Sequence, residues 1–351
     1  MKKKPHLQVP LYSPDGYEVT MPNGKKILLV SGNTYHENFF YVDFSSITIK
    51  ADFSRSSFNN CRFLMTDLSG SSLKNAVFNH CKIFESAMMW TRSSGVTFSN
   101  TVVEDTRFSF SDFSRAHLVA TEIHKSRFWH TRLEHTTFDT VFVSDSEFTN
   151  SVATNVTIRN SILGNVRIKE SNLSYLDVKD SEIDHLRLID SNLKSSSWFN
   201  VNSKSGRWIM WGVDMSQSVF SGCNASDSSW RNTTFKNSVF ERCNWFQNRF
   251  YDCSFEKSMW QSIGFNEARF TRLVVKDLMA SSLRLRFSEF KSCEITDSTI
   301  SDSAFEYCGF FSVFTKNFKI IRPTYSPETK FPDEVVLVNA KFHSTNNPQN
   351  N

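Results

Sequence analysis

The sequence contains no proline between residues 23 and 322, although it has eight prolines among 351 residues. Proline removes a donor from a β-ladder and breaks helices, so its absence predicts a body of continuous backbone hydrogen bonding. No apolar run approaches the roughly 20 residues of a membrane-spanning helix, and we expect no membrane span. The basic start, Met1-Lys2-Lys3-Lys4-Pro5, lacks a following hydrophobic segment, and we expect no Sec-type signal peptide.

The chain also lacks a strong charge excess, a catalytic motif and an even set of cysteines. Its formal net charge is +4, which requires no polyanionic partner. There is no GxSxG, P-loop, HExxH, GxGxxG or CxxC motif, and we expect no metal site and no cofactor. The seven cysteines are an odd number, which predicts reduced, buried thiols. Whether Cys61/Cys81 or Cys223/Cys243, each pair twenty residues apart, is ever oxidised stays open.

What the sequence contains is a five-residue repeat from Phe53 to Trp198. Of thirty positions five apart, only Ser93 is polar and only Ala153 is small. Two residues before each position, a second series carries small or β-branched side chains. Five residues advance about 140° beyond a full turn of an α-helix, and an odd step reverses the face of a flat strand. A chain that turns a corner after each short strand keeps both series inward.

The two series together form a regular five-residue pattern, called the lattice below. This lattice resembles the pentapeptide-repeat family, whose unit is a small residue, Asp or Asn, Leu or Phe, and two polar residues. The resemblance covers roughly residues 42 to 313. It implies an all-β fold, a right-handed, four-sided parallel β-helix with four pentapeptides per coil and residues twenty apart stacked on each other. We expect about twelve coils, small caps at both ends, and a filled interior without a pocket.

The lattice predicts five segments along the chain. They are an N-terminal cap with a β-hairpin (1–41), a first repeat block (42–198), a register break or loop (199–212), a second block (213–313), and a C-terminal cap with a disordered tail (314–351). Asn23-Gly24 between apolar runs predicts the hairpin turn. The lattice resumes two residues out of phase after the break, which favours a bulge within one solenoid over a hinge between two stacks.

One face of the first block is expected to expose aromatic and arginine side chains. The positions after its inward column supply Met89, Trp90, Phe110, Trp129 and His130, and the positions before it supply Arg107, Arg127, Arg167 and Arg187, with Glu147 among them. Exposed aromatics beside arginine are typical of binding hot spots, although single surface aromatics are ordinary. A second basic column contains Arg231, Arg249, Arg269, Arg272 and Lys291, with Tyr251 and Phe311 beside it.

These features favour a non-enzymatic, rod-shaped protein–protein interaction module with an unidentified protein partner. It would act as a scaffold in the bacterial cytoplasm or as an effector injected into a host cell by a Sec-independent route.

The resemblance implies an alternative, because the best-known family members mimic DNA and protect or inhibit DNA gyrase, but that role needs an acidic rod. A nucleic-acid-binding solenoid is a further alternative, disfavoured by the weak charge excess. A homo-oligomer through a terminal cap is left open.

Overall fold

We describe residues 7–203 and 206–342 of the protein from a computed structural model. The chain divides into two compact units, Met1–Leu176 and Asp177–Asn351, called the first and second unit below. Both units consist of short strands, and no described residue lies in a helix. These residues therefore contain no helix long and apolar enough to cross a membrane.

The first unit contains strands β1 to β19. In chain order they are Leu11–Ser13, Gly16–Thr20, Lys26–Leu29, Asn38–Phe40, Ser57–Asn59, Arg62–Leu64, Val77–Asn79, Lys82–Phe84, Thr97–Ser99, Val102–Glu104, His117–Val119, Glu122–His124, Arg127–Trp129, Thr137–Asp139, Phe142–Ser144, Glu147–Thr149, Thr157–Arg159, Ile162–Gly164 and Arg167–Lys169.

The second unit contains strands β20 to β46. In chain order they are Asp177–Asp184, Arg187–Ile189, Ser197–Asn202, Ile209–Trp211, Val219–Ser221, Asn224–Ser226, Ser229–Arg231, Val239–Glu241, Asn244–Phe246, Arg249–Tyr251, Ser254–Glu256, Met259–Gln261, Gly264–Asn266, Arg269–Thr271, Val274–Lys276, Met279–Ser281, Arg284–Arg286, Glu289–Lys291, Glu294–Thr296, Thr299–Ser301, Ala304–Glu306, Gly309–Phe311, Phe314–Lys316, Lys319–Ile321, Thr324–Tyr325, Val336–Val338 and Lys341–Phe342.

Each regular turn takes twenty residues, as the lattice predicts. In the first unit Val103 pairs with Ile83 on one side and Ile123 on the other, within a mostly aliphatic column. Phe78 and Phe98 pair within a mostly aromatic column and stack with ring centroids 5.0 Å apart. Strands β13, β16 and β19 form a third column, and isolated bridges join the fourth face. The four-sided parallel β-helix predicted from the sequence is confirmed.

The corners are made by residues with left-handed backbone conformation, such as Asn60 with φ of 54° and Met65 with φ of 53°. This conformation costs a residue with a Cβ about 1–2 kcal/mol, and Asn and Asp tolerate it best. The corner residues nevertheless join the ladder, because the N–H of Asn60 donates to the carbonyl of Asn79 at 2.9 Å. Their side chains point away from the core, which places corner residues on the surface.

The small inward positions satisfy backbone donors that the ladder leaves unpaired. The N–H of Thr66 donates to Oγ of Ser86 one turn later, and that hydroxyl donates to the carbonyl of Phe84. A hydroxyl can accept and donate at once, so Ser and Thr suit these buried sites. Pro323 occupies such a position, where its missing N–H removes no ladder bond, and its carbonyl accepts from Lys341 at 2.8 Å. The ladder therefore continues through Pro323, beyond the proline-free stretch.

All seven cysteines also occupy small inward positions, and all are buried and free. Burial raises the pKa of Cys253 to about 12 and that of Cys308 to about 11. A thiol with so high a pKa holds almost no reactive thiolate at neutral pH. The cysteines act as small core residues.

Parallel pairing begins before residue 42. Strands β2 and β3 form an antiparallel hairpin with Asn23-Gly24 in its turn, and β4 then pairs in parallel with β5. Phe39 of β4 stacks on Phe58 with ring centroids 5.1 Å apart. The first turn therefore lies partly inside the segment predicted to be a cap.

The register break is a two-residue insertion in one turn of the second unit. Trp198 pairs with Val178 twenty residues earlier but with Phe220 twenty-two residues later. From Ala225 onward the twenty-residue spacing returns. The strands pair on both sides of the insertion, which agrees with a bulge within one ladder. Residues 204 and 205 lie outside the described residues.

Parallel pairing also continues past residue 313. Ile320 pairs with Leu337, and Tyr325 pairs with Phe342, so the boundary predicted at 313 is too early. With these additions at both ends, the described residues form about 15 turns, and the expected twelve is wrong. The tail predicted from Ser344 onward lies outside the described residues.

The interior of the first unit is incompletely filled near Ala153. A cavity of about 50 Å³ lies among apolar side chains that include Phe138, Phe148, Ala153 and Ile158. Elsewhere this column carries larger residues such as Phe113 and Leu133. The expectation of an interior without a pocket is wrong at this turn, because Ala153 supplies a methyl group where a leucine or phenylalanine would fit.

Candidate interaction surface

The twenty-residue turn places most of the predicted site residues on one face of the first unit. We call this set the aromatic–arginine face; it consists of Met89, Trp90, Phe110, Trp129, His130, Arg107, Arg127 and Arg167. Arg107 forms a parallel bridge with Arg127 on the next turn. Arg127 pairs with Glu147, which pairs in turn with Arg167. The arginine column predicted from spacing therefore exists, with a carboxylate within it.

The aromatic residues at the adjoining corner form a continuous stack. The rings of Trp90 and Phe110 have centroids 4.2 Å apart and planes 4° apart. The ring of His130 continues the stack, 4.9 Å from Phe110 and inclined by 9°. All three residues have left-handed backbone conformation, with φ of 58°, 61° and 53°. Because each corner repeats the one before it, the three side chains leave the backbone in the same direction and meet face to face.

Trp129 lies beside this stack, on strand β13. The guanidinium of Arg127 lies over its indole, 5.7 Å from the ring centroid, within the range of a cation–π interaction. Trp90 is 62%, Phe110 43% and Trp129 41% exposed. Met89 is half-buried, and its N–H donates to Oγ of Ser69. The exposed apolar area is thus contributed chiefly by aromatic rings.

The arginines of the face have no carboxylate partner among the described residues. None of the ion pairs formed there involves Arg107, Arg127 or Arg167. Glu147 instead accepts a hydrogen bond from the hydroxyl of Thr149 at 3.2 Å. Arg127 therefore borders an aromatic ring, Arg107 and Arg167 lie in the same column, and these guanidinium groups can bind carboxylates or other anions.

The last arginine of the predicted column is Arg187. It lies on β21 in the second unit, where it pairs with Ile209 of β23. The spacing of the sequence put it in the same column as Arg167. The face consists of first-unit residues only.

The second basic column is divided by local pairing. Arg272 binds Asp252 with two hydrogen bonds of 2.6 and 2.7 Å, and Arg231 lies over the ring of Trp211 at 5.4 Å. Arg249 and Arg269 are neighbours on paired strands. The predicted second basic column is thus a series of separate contacts.

The structure contains two arrangements that the sequence did not predict. Asp43, almost completely buried, binds Arg62 through both carboxylate oxygens near the start of the ladder. Phe287 and Tyr307 stack at a corner of the second unit, 5.0 Å apart. Their twenty-residue spacing could have indicated the second arrangement. Among the described residues, no group of three or more His, Cys, Asp or Glu side chains is placed to hold a metal ion.

A profile of pentapeptide repeats matches residues 45–85, with eight copies. Similar solved structures include HetL, a pentapeptide repeat protein involved in heterocyst differentiation regulation from the cyanobacterium Nostoc sp. strain PCC 7120. It is 12% identical, with a TM-score of 0.31, over 64% of this chain and 89% of that chain. QnrB1, a plasmid-mediated fluoroquinolone resistance protein, is 12% identical, with a TM-score of 0.27, over 57% of this chain and 92% of that chain.

A mannuronic acid specific polysaccharide family 6 lyase from human gut microbiota is 8% identical, with a TM-score of 0.33, over 87% of this chain and 86% of that chain. A comparison with curated protein sequences gave no match. The profile match lies inside a lattice that continues with the same period far beyond it. The chain thus carries pentapeptide repeats at residues 45–85, within a parallel β-helix of the same period.

Proposed function

We propose that the protein is a non-enzymatic interaction module and that the aromatic–arginine face is its contact surface. The observation that carries the proposal is the stack of Trp90, Phe110 and His130 beside arginines without carboxylate partners. Tryptophan and arginine are enriched among the residues that dominate binding energy. Rings already held in a stack lose little side-chain entropy on binding.

The partner is a protein that presents an apolar side chain surrounded by carboxylates. The apolar group would cover the rings of Trp90, Phe110 and Trp129, and the carboxylates would bind Arg107 and Arg127. This charge pattern opposes the gyrase-directed alternative, because a DNA mimic presents carboxylates and not guanidinium groups on its contact face. We place the protein in the bacterial cytoplasm, or in a host cell reached by a Sec-independent route.

A capture experiment from bacterial and eukaryotic lysates tests this proposal. Wild type is compared with Trp90→Ser/Trp129→Ser, with Arg107→Glu/Arg127→Glu, and with Tyr175→Ser as a control. Tyr175 is a corner aromatic of the same unit, 60% exposed and outside the face. We expect the captured protein, once purified, to bind both double variants at least about tenfold more weakly and the control equally well.

Three outcomes would contradict the proposal. A partner that binds all variants equally uses another surface. Capture of gyrase subunits independent of these arginines would support the DNA-mimic alternative. Binding that falls steeply with salt and is competed by DNA would support nucleic-acid binding.

A further inference from the structure

A cleft of about 530 Å³ opens on the second unit and shares no lining residue with the aromatic–arginine face. One side is a column of corner residues, Gln247, Glu267, Phe287 and Tyr307. The other side is a column on paired strands, Arg249, Arg269, Glu289 and Gly309. The cleft crosses four successive turns, which at a strand spacing of ~4.8 Å is about 14 Å.

One end of the cleft is aromatic. Tyr307 stacks on Phe287, and Phe311 is 52% exposed. Gly309 makes room for the ring of Phe311, because a Cβ at residue 309 would lie 2.5 Å from Cε2 of that ring. Tyr307 and Phe311 thus both line the cleft, with the short Cys308-Gly309 segment between them.

The other end is polar and nearly balanced in charge. Nε2 of Gln247 donates to Glu267 at 2.8 Å, and Arg269 lies 3.9 Å from Glu289. Arg249 also lies at this end, whereas Glu328 lies beside the aromatic end, on the turn after Tyr307 and Gly309. The whole lining holds two guanidinium groups and three carboxylates. Lys330 follows Gly309 on the next turn and offsets the remaining negative charge. The cleft therefore offers donors and acceptors in similar numbers.

We propose that this cleft binds a neutral oligosaccharide. A sugar ring combines an apolar C–H face, which suits the rings of Tyr307 and Phe311, with hydroxyls that donate and accept along its edge. Guanidinium groups supply donors and carboxylates supply acceptors for such hydroxyls. The volume lies within the range of small-ligand sites.

The geometry disfavours other ligand classes. A polyanion would meet the carboxylates of Glu267, Glu289 and Glu328, and a polycation would meet Arg249 and Arg269. A peptide cannot add as a strand, because Gly309 is paired with Glu289 on one side and Lys330 on the other. The cleft is lined by eleven residues, fewer than the roughly 20–30 residues that each partner contributes to a stable protein interface.

Saturation-transfer NMR on the full chain tests the proposal, with malto-, cello- and manno-oligosaccharides as probes. We expect saturable binding of at least one neutral probe, abolished in Tyr307→Ala/Phe311→Ala. Gly309→Ala should weaken binding severalfold, because its Cβ displaces the Phe311 ring. Phe314→Ala is the matched control, since Phe314 is similarly exposed but does not line the cleft.

Equal thermal unfolding midpoints for these variants would show that the losses do not arise from unfolding. The proposal is overturned if no neutral probe binds the wild type, if binding survives in Tyr307→Ala/Phe311→Ala, or if only a charged peptide binds there. None of these results bears on the aromatic–arginine face, because the cleft shares no residue with it.

Discussion

The ring of Trp90 lies parallel to the ring of Phe110, with centroids 4.2 Å apart, although twenty residues separate them. Both occupy left-handed corners of successive turns. Stacked aromatic pairs contribute about 0.5–1.5 kcal/mol beyond the area they bury. Because corners twenty residues apart lie on successive turns of the solenoid, aromatic residues at that spacing form a row of stacked rings on the surface.

We expect Trp90→Ala and Phe110→Ala to be coupled by about 0.5–1.5 kcal/mol in a double-mutant cycle measured by urea unfolding. Alanine is as disfavoured as tryptophan in the left-handed conformation, so the backbone contribution largely cancels. The control pair is Trp90→Ala with Tyr175→Ala, which share no contact and should give additive effects. Coupling of similar size in both cycles would mean that the stack does not stabilise the fold.

Filling the cavity near residue 153 should stabilise the first unit. Ala153→Leu is expected to raise the free energy of unfolding by about 0.5–2 kcal/mol, because the added side chain occupies existing space. The matched change Ala116→Leu, at a small inward position that does not line the cavity, should destabilise by about 1–3 kcal/mol. Calorimetry or urea unfolding compares the two. A fall in stability for Ala153→Leu would mean that the cavity cannot accept a larger side chain.

Acid should release the ion pair between Asp43 and Arg62. Burial alone raises the pKa of Asp43, but hydrogen bonds from Arg62 and Ser45 outweigh it and hold the pKa below its ordinary value of 3.8. A carboxyl with a depressed pKa stabilises the fold above that ordinary value, and the contribution is lost as the pH falls through the folded-state pKa.

Asp43→Asn should therefore cost about 1–3 kcal/mol at neutral pH, and the difference from wild type should shrink below pH 3.8. Thermal unfolding at several pH values measures this difference. If it does not change with pH, the Asp43 charge contributes nothing to stability.

The buried thiols should be inert in the folded protein. Burial raises the pKa of Cys253 and Cys308, and all seven cysteines are enclosed. A thiol reagent should modify fewer than about one thiol per native chain and all seven after unfolding. Ser262→Cys, at an exposed corner, serves as the positive control. Rapid reaction of a native thiol in the wild type would show that some turn opens to solvent.

Much of the candidate site followed from the sequence, because position within a five-residue unit decides which way a side chain points. That rule correctly predicted the bridge between Arg107 and Arg127 and the exposure of Trp90 and Trp129. It could not predict that His130 would lie parallel to Phe110, since ring orientation depends on the corner conformation.

The rule failed where the period is interrupted. Asp43 and Arg62 are nineteen residues apart, because the first turn is one residue short. Strands after residue 313 were expected only as a C-terminal cap, because prolines interrupt the apolar pattern there, although Ile320 still pairs in parallel with Leu337.

The sequence by itself determined the path of the chain, because large residues at every fifth position can be buried together only if the backbone turns a corner in each unit. It also determined which side chains face outward. The tertiary structure alone decided the number of turns, the place of the cavity at Ala153 and the cleft at Gly309. These features depend on how the side chains of neighbouring turns pack against each other, and the five-residue period of the sequence does not specify that packing.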